Sequence, residues 1–109
     1  MASDRMDSMR LELRRGLLVS AVLAALRVEQ YGYSLRKVLA EAGLDIEEGT
    51  LYPLIRRLEE YGLLQSRWSE GEGRRRRYYH ISAEGEEVLT TLAQEWRALH
   101  AALQNLMGE

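Results

Sequence analysis

The sequence predicts a mainly α fold of three helices, a β-hairpin and a long last helix, and three observations predict it. Met9 to Val28 is apolar at helical spacing on nearly all sides. Two runs of strand character, Leu63 to Trp68 and Arg76 to Ile81, flank the turn-rich SEGEG. After Ser82, leucines and a tryptophan recur at alternating steps of three and four as far as Leu106, the spacing of a heptad seam.

The totals bound what such a fold can do. A chain of 109 residues, 46% apolar, holds one domain with an ordinary core. With no cysteine and two histidines there are no disulfides and no zinc-ligand cluster, and neither metal nor cofactor is expected. The longest apolar run, Leu17 to Leu26, is ten residues. Spanning a bilayer takes about 20, so this run reads as a buried core helix and no membrane partner is expected. MASDRMDSMR has no clean apolar segment, hence no signal peptide is expected. The chain reads as cytoplasmic and associated with the nucleoid.

The net charge of −2 hides an asymmetry. From Gly49 to His80 seven arginines face four glutamates, and from Tyr78 onward only Arg97 stands against five glutamates. An acidic total is therefore no argument against a polyanionic partner, because binding depends on where charge lies.

Taken in order, residues 1–8 read as a flexible lead-in, followed by the first helix. A helix apolar all round must be covered on more than one side, a first hint of a partner chain. Tyr31-Gly32-Tyr33-Ser34 interrupts the pattern, and a short helix follows with Leu35, Val38 and Leu39 inward and Gly43 at its end. For the third helix, Asp45 with Glu48 resembles a capping box and Thr50 is an equally good N-cap. Pro53 is harmless only in a first turn, which places the start near Gly49 or Thr50 and the end at Tyr61, with Gly62 as the stop. The hairpin comes next, and Ser82 caps the last helix, whose first turns hold Glu84, Glu86 and Glu87.

At about 100° per residue, Leu51, Leu54, Ile55 and Leu58 share one face of the third helix. Gly49, Tyr52, Pro53 and Arg56 point away from it, with Arg57 on the flank. A helix with a buried stripe and a free, partly basic N-terminal end is laid out to enter a major groove. In the hairpin, Ile81 must point inward, which turns Tyr79 inward and Tyr78 and His80 outward. Arg74, Arg75, Arg76 and Arg77 then lie at a tip made pliable by the glycines flanking Glu72. A pliable, arginine-bearing hairpin beside a recognition helix is a wing, able to lie along phosphates or enter a narrow minor groove. Solvated surface is the plainer reading of an arginine run alone; with the helix beside it, double-stranded DNA becomes the expected partner. The domain plan is thus a winged helix-turn-helix over residues 9–81 and a dimerisation helix over 82–109.

The strings YGYSLRKVL, GTLYPLIRRLEEYGLLQSRW and GRRRRYYHIS closely resemble the PadR family of bacterial and archaeal transcriptional regulators. The resemblance covers about Arg14 to Leu106 and is nearest to the short subfamily, with a single C-terminal dimerisation helix. It implies a dimeric DNA-binding repressor relieved by a small molecule. By position it implies DNA-facing roles for Tyr33, Gly49, Thr50, Tyr52, Pro53, Arg56, Arg74, Arg76 and Arg77. Arg75 departs from the family, which often has proline between the basic residues; the wing here should be more charged and more flexible.

The heptad stripe of Leu89, Leu92, Trp96, Leu99, Leu103 and Leu106 needs a facing surface. A second protomer is its expected cover, joined by Leu11, Leu18 and Val22 of the first helix. A two-fold homodimer places two recognition helices about one DNA turn apart and so favours a palindromic site. Trp96 has a plain role, filling a hole in the seam. Its functional role would be to face its symmetry mate and sandwich a flat aromatic or hydrophobic effector. His80 and His100 read as surface residues, Trp68 as packing at the hairpin base, and Tyr31 and Tyr61 as braces at helix ends.

Two other function classes were weighed. An enzyme needs an activated nucleophile, an acid–base pair or a metal, and no such set is legible. A winged-helix module that binds protein rather than DNA would keep the framework but would not need Arg56 and Arg74 to Arg77. RNA binding is disfavoured, because the hairpin offers only Tyr78 as an exposed stacking ring.

Overall fold

The computed structural model describes residues 2–109. Helix α1 (Ala2–Ala25) leads into a two-residue strand β1 (Gln30–Tyr31), then α2 (Gly32–Glu41) and α3 (Glu48–Glu60). Strands β2 (Leu64–Ser69) and β3 (Arg76–Ile81) form the hairpin around a single 3-10 turn at Gly71–Gly73, and α4 (Ala83–Met107) closes the chain. The architecture is the predicted winged helix-turn-helix with a long last helix.

Helix α1 begins seven residues before the expected Met9. Residues 3–8 are exposed, which is why this end reads as a flexible lead-in; Met1 lies outside the described residues. Alanine, methionine and arginine favour helix irrespective of burial, and Asp4 sits in the first turn, at the positive end of the helix dipole. The helix stops at Ala25 rather than Val28. The buried Gln30 side chain donates to the Ala25 carbonyl at 3.0 Å, satisfying an acceptor that the ended helix leaves open.

The core is one cluster: Leu18, Val22, Leu23 and Leu26 of α1, Leu35 and Leu39 of α2, the α3 stripe, then Leu64, Ile81 and Leu89. Val38, expected inward, is 40% exposed, because Leu35 and Leu39 alone fill the narrow stripe that α2 presents. The sheet runs β1-β3-β2, all antiparallel. Its third strand was not anticipated: two residues, Gln30 and Tyr31, are too few to show a period, and they pair with Tyr79 and Tyr78.

Serine 82 joins the hairpin to α4. Its hydroxyl accepts from the Gly85 N–H at 3.0 Å and donates to the Gly62 carbonyl at 2.6 Å, while its own N–H bonds Leu63. The expected N-cap is therefore present, and it also ties α4 to the turn after α3. Beyond this body the molecule is drawn out. Its radius of gyration is 16.0 Å, against about 13 Å for a compact chain of this length. The exposed apolar residues Met6, Met9, Leu11 and Leu13 of α1, and Leu99, Leu103 and Leu106 of α4, lie on the outer halves of these two helices.

Candidate nucleic-acid interface

Helix α3 buries Leu51, Leu54, Ile55 and Leu58 and exposes Gly49, Thr50, Pro53, Arg56 and Arg57. Its start differs from expectation in one respect. Glu47 is the N-cap, in extended backbone and without a side-chain cap, so neither Asp45 nor Thr50 serves. Arg36 of α2 organises this entry instead, donating to the Ile46 carbonyl at 3.2 Å and to Glu48 at 3.0 Å. Pro53 consequently lies in the second turn. It has no N–H, so the carbonyl of exposed Gly49 lacks its i+4 donor and remains an acceptor at the helix surface.

Tyr52 is half-buried and packs against the core, its ring over Gly32; a methyl at Gly32 would lie 2.9 Å from Tyr52 Cε1. That close approach is why the α2 start carries glycine between two tyrosines. Tyr33, on the first turn of α2, is exposed and stacks at 6.5 Å on Tyr31.

The hairpin resolves the crowding of four consecutive arginines by giving them different neighbours. The Arg75 guanidinium lies 4.4 Å from the Trp68 ring centre, and Arg76 lies 4.5 Å from that of Tyr31. Arg77 donates to both carboxylate oxygens of Glu59, at 3.0 and 3.1 Å, and to Ser66 Oγ at 3.0 Å. Arg74 is exposed at the tip. Alternation along the strand sends Arg75 and Arg77 to the Trp68 side and Arg76 to the Tyr31 side. At the tip Glu72 turns the chain with φ 54°, and the Arg74 N–H donates to the Gly71 carbonyl at 3.0 Å.

Arg77, expected to face DNA, is ion-paired to the last turn of α3. One expectation is corrected here. Trp68, expected at the hairpin base, pairs in register with Arg77 near the tip and is half-exposed. Glu59 and Ser66 are the residues that sequence reasoning missed, and Trp68 and Tyr31 were read only as packing residues. For Trp68 a signal was present in the strand register, which sets it opposite Arg77.

Between α3 and the wing lies an open cleft of about 330 Å³, lined on one side by Tyr52 and Arg56 and on the other by Trp68, Arg76 and Arg77, with Tyr31 and Tyr33 at its end. Of the exposed α3 residues Arg56 lines this cleft, with Arg76 and Arg77 from the wing, whereas Thr50, Pro53 and Arg57 line a separate hollow against Arg15, Leu18 and Val19 of α1. A further ion pair joins β2 to the residue before β1. Arg67 of β2 donates to Glu29 at 2.9 and 2.5 Å, which holds the Glu29 carboxyl below, and the Arg67 guanidinium above, their usual values. Burial raises the Tyr79 phenol above the ordinary tyrosine value, outweighing the opposing charge of Arg77.

Of the residues assigned to a partner chain, Leu18, Val22 and Leu89 are buried within the protomer, at 7%, 0% and 7% exposure. Each lies where α1 and α4 cross over the body and joins its core. Leu11, Trp96, Leu99, Leu103 and Leu106 are exposed and Leu92 is partly so. Trp96 stacks on His100, one turn on, with ring centres 5.0 Å apart and planes 6° from parallel. Among the described residues no helix is long and apolar enough to cross a membrane.

Residues 22–91 match the family model described as the transcriptional regulator PadR-like family. The chain belongs to this family. It is 36% identical over 80 residues to transcriptional regulator Rv3488 of Mycobacterium tuberculosis, covering 73% of this chain and 72% of that one. Among solved structures it is similar to a PadR family transcriptional regulator from Eggerthella lenta, with 48% identity and a TM-score of 0.89, covering 96% of this chain and 90% of that one. It is also similar to a PadR-like transcription factor from Bacteroides fragilis, with 32% identity and a TM-score of 0.76, covering 91% and 98%. The PadR match takes in α2, α3, the hairpin and the start of α4, and membership in a family of transcriptional regulators sets the enzyme reading aside.

Proposed function

We propose that this PadR-like protein is a homodimeric, sequence-specific repressor that binds a palindromic operator and is released by a small aromatic or hydrophobic effector. The cleft between α3 and the wing carries the reading. Gly49, Thr50, Pro53, Arg56 and Arg57 form the edge that enters a major groove, flanked by Tyr33 and Tyr52. Arg74, Arg75 and Arg76 reach the neighbouring backbone. The rings of Trp68 and Tyr31 hold two of these guanidiniums in place without neutralising them, so their charge stays available to phosphate.

Dimerisation is supported by the apolar stripe that the chain leaves uncovered on α4, together with the outer half of α1. Trp96 is the proposed effector contact: half-exposed and stacked on His100, it presents a flat face in the middle of that stripe. An effector that prefers the released form by about 2.7 kcal/mol lowers operator affinity a hundredfold.

The experiment is a titration of duplex DNA over a range of salt. Each phosphate neutralised contributes about −0.9 to the slope of log K against log salt, so a dimer with two basic wings gives a steep slope and a two-fold symmetric footprint. A flat dependence would favour a winged-helix module that binds protein.

A further inference from the structure

Among the four consecutive arginines, Arg77 is the one whose guanidinium is hydrogen-bonded to another of the described residues. The contact joins three elements. Glu59 is the penultimate residue of α3, Ser66 lies on β2 and Arg77 on β3. The Ser66 hydroxyl also donates to Glu59, so the carboxylate, hydroxyl and guanidinium close a triangle. Glu59 is the more sheltered partner, with its side chain 26% exposed. Handing Arg77 to a phosphate would strip that carboxylate of its cation, and a partly buried charge left without its partner is costly.

A carboxylate here is otherwise hard to explain. Glu59 borders a surface whose neighbouring residues are cationic, and next to DNA it should only repel. We propose that Glu59 and Arg77 are positioning residues for DNA binding: their ion pair, braced by Ser66, fixes the angle between the wing and α3, and Arg77 itself makes no phosphate contact. The guanidinium suits this role, because its rigid plane donates through Nη2 to both Glu59 oxygens and through Nε to Ser66 Oγ, which fixes direction as well as distance. With the wing set at that angle, Arg74, Arg75 and Arg76 meet the same duplex that the exposed edge of α3 enters.

This inference rests on the DNA-binding reading, and the test separates the two. A duplex is selected from a random-sequence pool with the wild-type protein. Its affinity is then measured over a range of salt for Glu59→Gln, Arg77→Ala, Arg77→Lys and the Glu59→Gln/Arg77→Ala double variant, with thermal melts to verify folding. Arg77→Ala is expected to weaken binding roughly tenfold, about the worth of one charge-assisted interaction, with the salt slope unchanged. Glu59→Gln is expected to weaken binding too, although it removes a negative charge, and the double variant to be no weaker than Arg77→Ala alone. Arg77→Lys keeps the charge but not the rigid plane that reaches Glu59 and Ser66 together, and is expected to bind like Arg77→Ala. Tighter binding by Glu59→Gln, or a salt slope reduced by about 0.9 for each phosphate lost in Arg77→Ala, overturns the proposal. If Arg77→Ala does not fold, the sign of the Glu59→Gln effect decides alone. Failure of the wild-type protein to retain any duplex defeats the DNA-binding reading itself, and the proposal with it.

Discussion

Gly85, in the first turn of α4, packs directly on the backbone of Leu63, so that a methyl group added at Gly85 would run into the Leu63 carbonyl oxygen and lie 2.7 Å from Ile81 Cγ1. The same carbonyl accepts the Ser82 N–H at 3.0 Å. The start of α4 is therefore seated on the turn that ends α3, and any tilt of α4 bears on the base of the recognition helix and the wing together.

Gly85→Ala should accordingly destabilise the protein by about 1–3 kcal/mol, because the obstacle is backbone and cannot rotate away. Gly16→Ala is the control. It lies inside α1 with nothing within 4 Å of an added Cβ, so replacing glycine in a helix interior should add about 0.8–1 kcal/mol. Denaturant unfolding at one fixed protein concentration measures both. A neutral Gly85→Ala would mean that the seat is looser than its geometry.

Glu72 is the one described non-glycine residue with positive φ, at 54°. A residue with a Cβ pays about 1–2 kcal/mol in this left-handed region, while asparagine enters it more readily. Glu72→Asn should raise stability by about 0.5–1 kcal/mol, read as a higher urea midpoint at unchanged m-value.

Tyr79 gives a pH dependence whose sign is fixed by burial. Its phenol is raised above the ordinary value, so the unfolded chain ionises first and the folded one keeps its proton longer. The contribution is fully present below about pH 10, the unfolded value, and is lost as pH rises through the folded one. Melting temperatures followed upward from pH 8 should fall less steeply in Tyr79→Phe than in the wild type. Parallel curves would show that burial does not raise the Tyr79 phenol.

The sequence made the helix order, the hairpin and the family legible because each rests on local pattern: the 51, 54, 55, 58 stripe of α3, the glycine at 62, the serine at 82. It could not show contacts that pattern does not encode. Arg77 and Glu59 are 18 positions apart, and nothing in an arginine run says which member turns back to a carboxylate. Leu18, Val22 and Leu89 share their apolar character with true surface leucines such as Leu103. Only the packing of α1 and α4 across the body separates residues that fill the protomer from residues left over. Strand β1 was hidden for a different reason, since its pairing comes from β3 rather than from any period of its own.

That separation supplies the last prediction. Leu99, Leu103 and Leu106 are 67%, 52% and 85% exposed, and burying each against a second chain is worth about 1.5–3 kcal/mol. The protomer core closes without them. Leu103→Asp should therefore abolish the dimer in sedimentation while leaving helix content intact, because the damage falls outside the folded body. Val22→Ala should do the reverse, lowering stability through a core cavity while the residual folded protein stays dimeric. A monomeric Leu103→Asp should also occupy a single half-site, with about half the wild-type salt slope, since it carries one wing instead of two. If Leu103→Asp sediments as a dimer, the outer half of α4 is not the surface that joins the two chains.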